Sequence, residues 1–174
     1  MTQNHNIFGK RICVVGPSNC GKSTFSAKLA AKLGYSLMHM DQIAHVPNTN
    51  WIKRPCEQIR QEHDEFITKD TWVIDGQYKK YMPKRLARAD TLVRIHVGRF
   101  KCLFRYFKRC AKRGKYMGAL DGATRTLNSS MIPWILFNQP KRAKERDKII
   151  KQFPHLNIID VYSFKELDEL LKRV

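Results

Sequence analysis

Short apolar runs alternate along the chain with stretches of helical spacing. Lys10-Arg-Ile-Cys-Val-Val15 is a β-branched run that stops at Gly16 and predicts a buried strand. From Lys22 the spacing turns helical, with Phe25, Leu29 and Leu33 on one face and Gly34 as the stop. Ser36–Met40 predicts a second strand with Asp41 at its end. Residues 42–54 read as irregular, with a turn signal at Pro47-Asn48. Pro55 suits a first helical position, and Ile59, Phe66 and Ile67 carry a stripe to about Lys69.

Thr71–Asp75 reads as a third strand, with an acid and Gly76 at its exit. A short basic helix over 79–89, a strand over Thr91–Val97 and a helix over 99–113 follow. In that last helix Leu103, Phe104 and Phe107 are expected to face inward. Residues 114–129 show no period and predict a loop. Helical spacing returns over about 131–152, where Pro140 is expected to kink or interrupt it. Asn157–Tyr162 predicts a fifth strand. Ser163 with Glu166 is a capping-box signature for a final helix that packs through Leu167, Leu170 and Leu171. Strands that alternate with helices predict an α/β fold, a parallel sheet covered on both faces in one domain, 1–174.

Composition changes that picture in one respect. The 174 residues suffice for one core, no apolar run approaches a membrane span, and five cysteines without C-x-x-C spacing suggest neither zinc nor a disulfide framework. Free thiols fit a cytoplasmic location. The net charge of +18, however, points to anionic partners. Part of it is concentrated: Arg99, Lys101, Arg105, Lys108, Arg109, Lys112, Arg113 and Lys115 follow one another with no acid between them. Bound phosphates or a nucleic-acid backbone would offset such a run.

The strand-loop-helix at the start of the chain carries the clearest chemistry. Gly16-Pro17-Ser18-Asn19-Cys20-Gly21-Lys22-Ser23, followed by Thr24, fits G-x-x-x-x-G-K-[ST]. Glycines let the backbone wrap round phosphate oxygens, and the helix start presents free N–H groups to the anion. Lys22 reaches the β/γ-phosphates of ATP, and the Ser23 hydroxyl is a magnesium ligand. Asp75, leaving a hydrophobic strand, suits the second magnesium contact. Asp41, at a strand's C-terminal end, faces the ligand crevice and suits proton acceptance from a hydroxyl. Arg105 and Arg109, spaced i, i+4, converge on phosphates, and Arg142 offers a third contact beyond the loop. Cys20 reads either as a small residue in a tight loop or as a redox-sensitive thiol lowered by the helix start and Lys22. His39, His45, His63 and His96 show no ligand spacing. Trp51, Trp72 and Trp134 read as packing, with Trp51 also placed to stack on a substrate base.

These residues resemble the adenylate-kinase-like branch of P-loop kinases, and more closely the bacterial DNA topology modulation proteins. The second likeness rests on Asp41-x-Ile43, Pro47-Asn48, Trp51-x-x-Arg54-Pro55, Trp72-Val-Ile-Asp-Gly-x-Tyr78, Arg85-Leu86 and Cys102-Leu103 before Arg105 and Arg109. It spans about residues 10 to 170. It implies a three-layer P-loop fold with a five-stranded parallel sheet, a substrate region near 42–70 and a short arginine-bearing lid near 110–140. Trp51, Arg54, Gly76, Tyr78 and Arg85 then join Asp41 and Arg142 as substrate contacts. Met40-Asp41-Gln42-Ile43 and Asp75-Gly76-Gln77-Tyr78-Lys79 depart from adenylate kinases, and the lid has no four-cysteine zinc site. The implied activity is ATP- and Mg2+-dependent phosphoryl transfer to a nucleoside, nucleotide or other small hydroxylated or phosphorylated acceptor. The alternative is an ATP-gated regulator that binds nucleic acid through its basic surface.

Overall fold

A computed structural model describes residues 7–111, 118–121 and 127–174. Lys112, Arg113 and Lys115 of the basic run, and part of the expected lid, lie outside the described residues. The strands are β1 (Arg11–Val15), β2 (Ser36–His39), β3 (Trp72–Asp75), β4 (Thr91–Ile95) and β5 (Asn157–Val161). They form one sheet in the order β2-β3-β1-β4-β5, and every pairing is parallel. Parallel strands need crossovers, and the helices supply them: α1 (Lys22–Leu33), α2 (Met40–Ala44), α3 (Cys56–Phe66), α4 (Met82–Arg88), α5 (Arg99–Ala111), α6 (Met131–Pro133), α7 (Gln139–Ile150) and α8 (Phe164–Lys172).

The period-2 side-chain rule splits β1 between two cores. Ile12 and Val14 join Phe25 and Leu29 of α1, Cys102 and Tyr106 of α5, and Leu167, Leu170 and Leu171 of α8. Cys13 and Val15 face the other way, towards Ile59 of α3, Met82 and Leu86 of α4, and Ile150 of α7. Covered on both faces, β1 and β3 are apolar without alternation, which is why they read as continuous runs. Asp90, just before β4, accepts from Lys10 N (3.0 Å) and Arg11 N (3.1 Å), pinning the start of β1. The far end of that central strand then delivers Gly16 to a fixed point above the sheet. No helix among the described residues is long and apolar enough to cross a membrane.

Two expectations are corrected. Residues 40–44 form α2 rather than continuing as strand and irregular chain, so Asp41 stands in a first helical turn. In α5 Leu103 packs against the core as expected, beside the buried Cys102 and Tyr106, while Phe104 (71% exposed) and Phe107 (41%) face solvent. Tyr106 turns inward because its hydroxyl finds partners there: it donates to Asn128 O (3.0 Å) and accepts from Asn128 N (2.7 Å). Before Pro140 the α-helical spacing is interrupted, as expected, here by a π turn, Trp134–Asn138. Proline has no N–H for the Leu136 carbonyl four residues back, and Arg99 Nη1 donates to that oxygen instead, at 3.2 Å.

Candidate functional site

The loop from Gly16 to Gly21 is held by close packing and local turns. A Cβ on Gly16 would lie 2.8 Å from Ile95 Cβ and 2.9 Å from Cys20 Sγ, so only glycine lets the loop press onto β4. Asn19 (φ 63°) and Gly21 (φ 95°) adopt the left-handed conformation that turns the chain into α1. Lys22 curls back over the loop, its Nζ donating to Pro17 O at 2.9 Å. Pro17, Ser18 and Asn19 form the rim and Thr24 continues α1, so the whole motif sits at one helix start. Cys20 is fully buried, and burial pushes its thiol up despite the nearby Lys22. Burial thus opposes the thiolate on which a redox reading depends.

Ser23 and Asp75 meet across this loop. Ser23 Oγ donates to Asp75 Oδ2 at 2.8 Å, and the other carboxylate oxygen lies 2.5 Å from His39 Nδ1. Asp75 is 4% exposed, a carboxylate enclosed by β1, β2 and the start of α1. A hydroxyl and a buried carboxylate at the mouth of a phosphate loop form an all-oxygen donor pair, the chemistry that suits magnesium. His39 had shown no ligand spacing in the sequence. Its part comes from register: His39 and Asp75 are directly paired between β2 and β3.

The turn after Asp75 ties the two halves of the site together. Gln77 Nε2 donates to Gly16 O at 2.9 Å, joining β3's exit to the phosphate loop. Gly76 (φ 115°) passes so near Met40 that a Cβ would lie 2.8 Å from that side chain. Tyr78, in a left-handed conformation, donates its hydroxyl to Asp41 Oδ1 at 2.7 Å. Burial, and then the Asp41 charge, push the Tyr78 hydroxyl far above its ordinary pKa, so it remains a donor to that carboxylate.

Four residues expected to touch substrate have other surroundings. Arg85 is completely buried, and its guanidinium donates to the carbonyls of Gly76 and Gln77, the latter at 2.8 Å. It braces the turn that carries Asp75 and Gln77. Arg54 Nη1 donates to Ile43 O (2.9 Å) and Glu62 Oε2 (2.7 Å), clamping α2 to α3. Arg142 lies over the Trp134 ring at 4.6 Å. Trp51 has φ 60°, an unusual backbone for so bulky a residue, and its partly exposed ring stands edge-on to His45 at 5.1 Å. His45 Nδ1 in turn contacts Asp41 O at 2.8 Å.

Residues 118–121 lie across the cleft. A Cβ on Gly118 (φ 71°) would come 2.6 Å from Ser23 Cβ and 2.8 Å from Ser23 Oγ. The same segment accepts from Gln42 Nε2 at Ala119 O (3.0 Å) and from Asn48 N at Asp121 O (2.6 Å), and Leu120 is buried. On the opposite side of α1's start, Arg109 Nη1 donates to Asn19 Oδ1 at 2.5 Å. Arg105 lies 4.7 Å over the Phe164 ring, beside Gly21. Arg105, Arg109, Phe104 and Phe164 border an open groove of about 930 Å³ between α5 and the start of α8.

No family model matches the chain, and no curated protein does. Solved structures do. The shikimate kinase of Acinetobacter baumannii, in complex with shikimate, aligns over 94% of this chain and 89% of its own at 16% identity, with a TM-score of 0.58. The fold is that of a P-loop kinase. A shikimate kinase from Bacteroides thetaiotaomicron aligns over 94% of this chain and 95% of its own (15% identity, TM-score 0.58). A gluconokinase from Sinorhizobium meliloti 1021 aligns over 95% and 89% (15% identity, TM-score 0.55). At such identities the likeness establishes the P-loop kinase fold, including its five-stranded parallel sheet, while the chemistry must be argued from the residues.

Proposed function

We propose that this protein is an ATP-dependent kinase that phosphorylates a hydroxyl group of a small molecule. The observation that carries the reading is the 2.8 Å contact between Ser23 Oγ and Asp75 Oδ2 at the mouth of Gly16–Ser23. Ser23 and Asp75 would hold magnesium, which when bound offsets charge on the phosphates. The loop N–H groups at the start of α1 bind phosphate oxygens, and Lys22, released from Pro17 O, reaches the same anion. Arg105 and Phe164 offer a cation and a ring face to the planar base, in a groove wide enough for it. Arg109, anchored on Asn19, brings positive charge to the crest of the loop.

The acceptor side centres on Asp41. Tyr78 occupies Asp41 Oδ1, which orients the carboxylate and leaves Oδ2 to take a proton from an acceptor hydroxyl. Trp51 is linked to Asp41 through His45, and Arg54 ties α2 to α3, which supports the substrate region expected near 42–70. Residues 118–121, resting on Ser23, Gln42 and Asn48, shield the reacting groups from water, the task of a lid. The matched structures named as shikimate kinase and gluconokinase support a small-molecule acceptor. The resemblance to DNA topology modulation proteins rests on sequence pieces alone, and the nucleic-acid alternative has only charge in its favour. The test is ATP consumption by the purified protein against nucleosides, nucleotides and small hydroxylated metabolites. Acceptor-dependent ADP release supports the reading, and its absence throughout refutes it.

A further inference from the structure

Helix α5 carries three phenylalanines that the core does not use. Phe100, Phe104 and Phe107 recur at i, i+4 and i+7, the spacing of one helix face, and all three are exposed. The inward residues of the same helix are Cys102, Leu103 and Tyr106. Two hydrogen-bonded contacts place further apolar side chains beside the phenylalanines. Arg99 Nη1 donates to Leu136 O at 3.2 Å, next to the exposed Phe137. Tyr106 bonds the backbone of Asn128, next to the exposed Leu127. Five of the nine large hydrophobic side chains exposed among the described residues thus belong to α5 and the segment bonded to it. Apolar surface gathered in this way marks a face that binds something.

A row of cations runs beside the phenylalanines. Lys101, Arg105 and Lys108 repeat the same spacing one residue later, about 100° further round the helix. Arg105 turns to the Phe164 ring, whereas Lys101 and Lys108 are exposed. Lys165 adds a cation from the far side of the groove between α5 and α8. Arg99, at the helix start, lies 5.3 Å over the Phe100 ring. From Thr91 to Lys144 the sequence holds a single acid, Asp121, and α5 itself holds none. The lysines therefore have no carboxylate on their own helix to offset them.

An apolar row beside a lysine row on one exposed face is the pattern of a helix that lies in a membrane interface, rings among the acyl chains and ammonium groups at the headgroups. We infer that the α5 face built on Phe100, Phe104 and Phe107 docks this protein on an anionic lipid surface, with Lys101 and Lys108 meeting the lipid phosphates. At about 20 Å, α5 lies along such a surface and is too short to cross it. Complementary charge selects this occupant over two others. A second copy of the chain, itself at +18, brings one lysine row against another. A single nucleic-acid strand uses the cations but stacks its bases on ring faces, and Leu127 offers none. Arg109, which bonds Asn19 in the phosphate loop, stands about 140° or more round α5 from each phenylalanine. Docking therefore keeps that loop clear of the lipid, and the inference does not rest on the kinase reading.

The test is co-sedimentation of the full chain with vesicles of phosphatidylcholine alone or of equal parts phosphatidylcholine and phosphatidylglycerol. The anionic vesicles are expected to take up the protein about tenfold better or more. Phe100→Ser with Phe104→Ser, and separately Lys101→Glu with Lys108→Glu, are each expected to weaken that uptake about tenfold or more. All four positions are exposed, so both variants should melt at the wild-type temperature, and if one does not, the other decides. Binding of oligothymidylate, measured alongside, should not respond to the phenylalanine pair. No uptake by anionic vesicles overturns the proposal. Uptake that the phenylalanine pair leaves unchanged also overturns it, since charge alone then accounts for the binding. Without vesicle uptake, a dimer that the phenylalanine pair dissociates assigns the face to a second copy, and oligothymidylate binding lost in that pair assigns it to nucleic acid. Vesicle uptake of a chain that turns over no ATP keeps this surface and removes the kinase reading.

Discussion

His39 Nδ1 lies 2.5 Å from Asp75 Oδ1, and the two residues are directly paired across β2 and β3. The contact fixes the carboxylate so that its other oxygen points to Ser23. His39 is therefore a positioning residue for the proposed magnesium site. His39→Ala is expected to raise the magnesium concentration needed for half-maximal nucleotide binding by about 10- to 100-fold, the usual cost of losing a group that orients a metal ligand. Asp75→Asn should raise it further. An unchanged magnesium titration in His39→Ala contradicts the role.

Lys22→Ala removes the lysine of the phosphate loop without touching the core. Phosphoryl transfer should fall by about 100-fold or more, with the far-ultraviolet spectrum and melting temperature unchanged. Steady-state rates and a thermal melt check both parts.

Asp41→Asn keeps the shape and the Tyr78 contact but loses the proton acceptor. kcat should fall by about 100- to 10,000-fold, with the KM for ATP little altered. A loss expressed mainly in the KM for ATP would place Asp41 on the nucleotide instead.

Gly118→Ala asks for a side chain where Ser23 already stands, at a positive φ. Residues 118–121 should lift from the cleft. Acceptor-dependent turnover is expected to fall about tenfold, while the fraction of ATP lost to water rises. Comparing ADP release with phosphorylated product measures that ratio.

Asp160 faces Arg94 across β4 and β5 and accepts from its Nε (2.8 Å) and Nη2 (2.7 Å). The Arg94 hydrogen bonds, with help from His96, hold the Asp160 carboxyl below its ordinary range. A carboxylate lowered on folding stabilises the fold above its unfolded pKa, near 4, and that contribution is lost as pH falls through the folded value. Asp160→Asn should therefore cost about 1 kcal/mol at neutral pH, discounted for partial exposure, and next to nothing in strong acid. Denaturant melts at several pH values test the sign.

Much of this architecture was legible in the chain. β1 and β3, buried on both faces, announce themselves as continuous apolar runs, and the phosphate loop follows from glycine spacing at a strand end. Pairwise consequences of strand order were not legible. His39 meets Asp75 only because β2 neighbours β3, and no periodicity within either strand says so. The faces of α5 were misread because both candidate stripes are aromatic or apolar. Tyr106 was chosen for the interior by its hydroxyl's partner at Asn128, which lies far along the sequence. The protein partners of Arg54, Arg85 and Arg142 were not legible either, because a sequence shows charge but not the carbonyls, carboxylates and rings that face it.

The most direct measurement follows ATP, magnesium and a panel of nucleosides, nucleotides and small hydroxylated metabolites by phosphorus NMR and ADP release. The account predicts a new phosphate-ester signal with at least one acceptor, abolished by Lys22→Ala and greatly reduced by Asp41→Asn. No such signal with any acceptor, or equal turnover by Lys22→Ala, would contradict it.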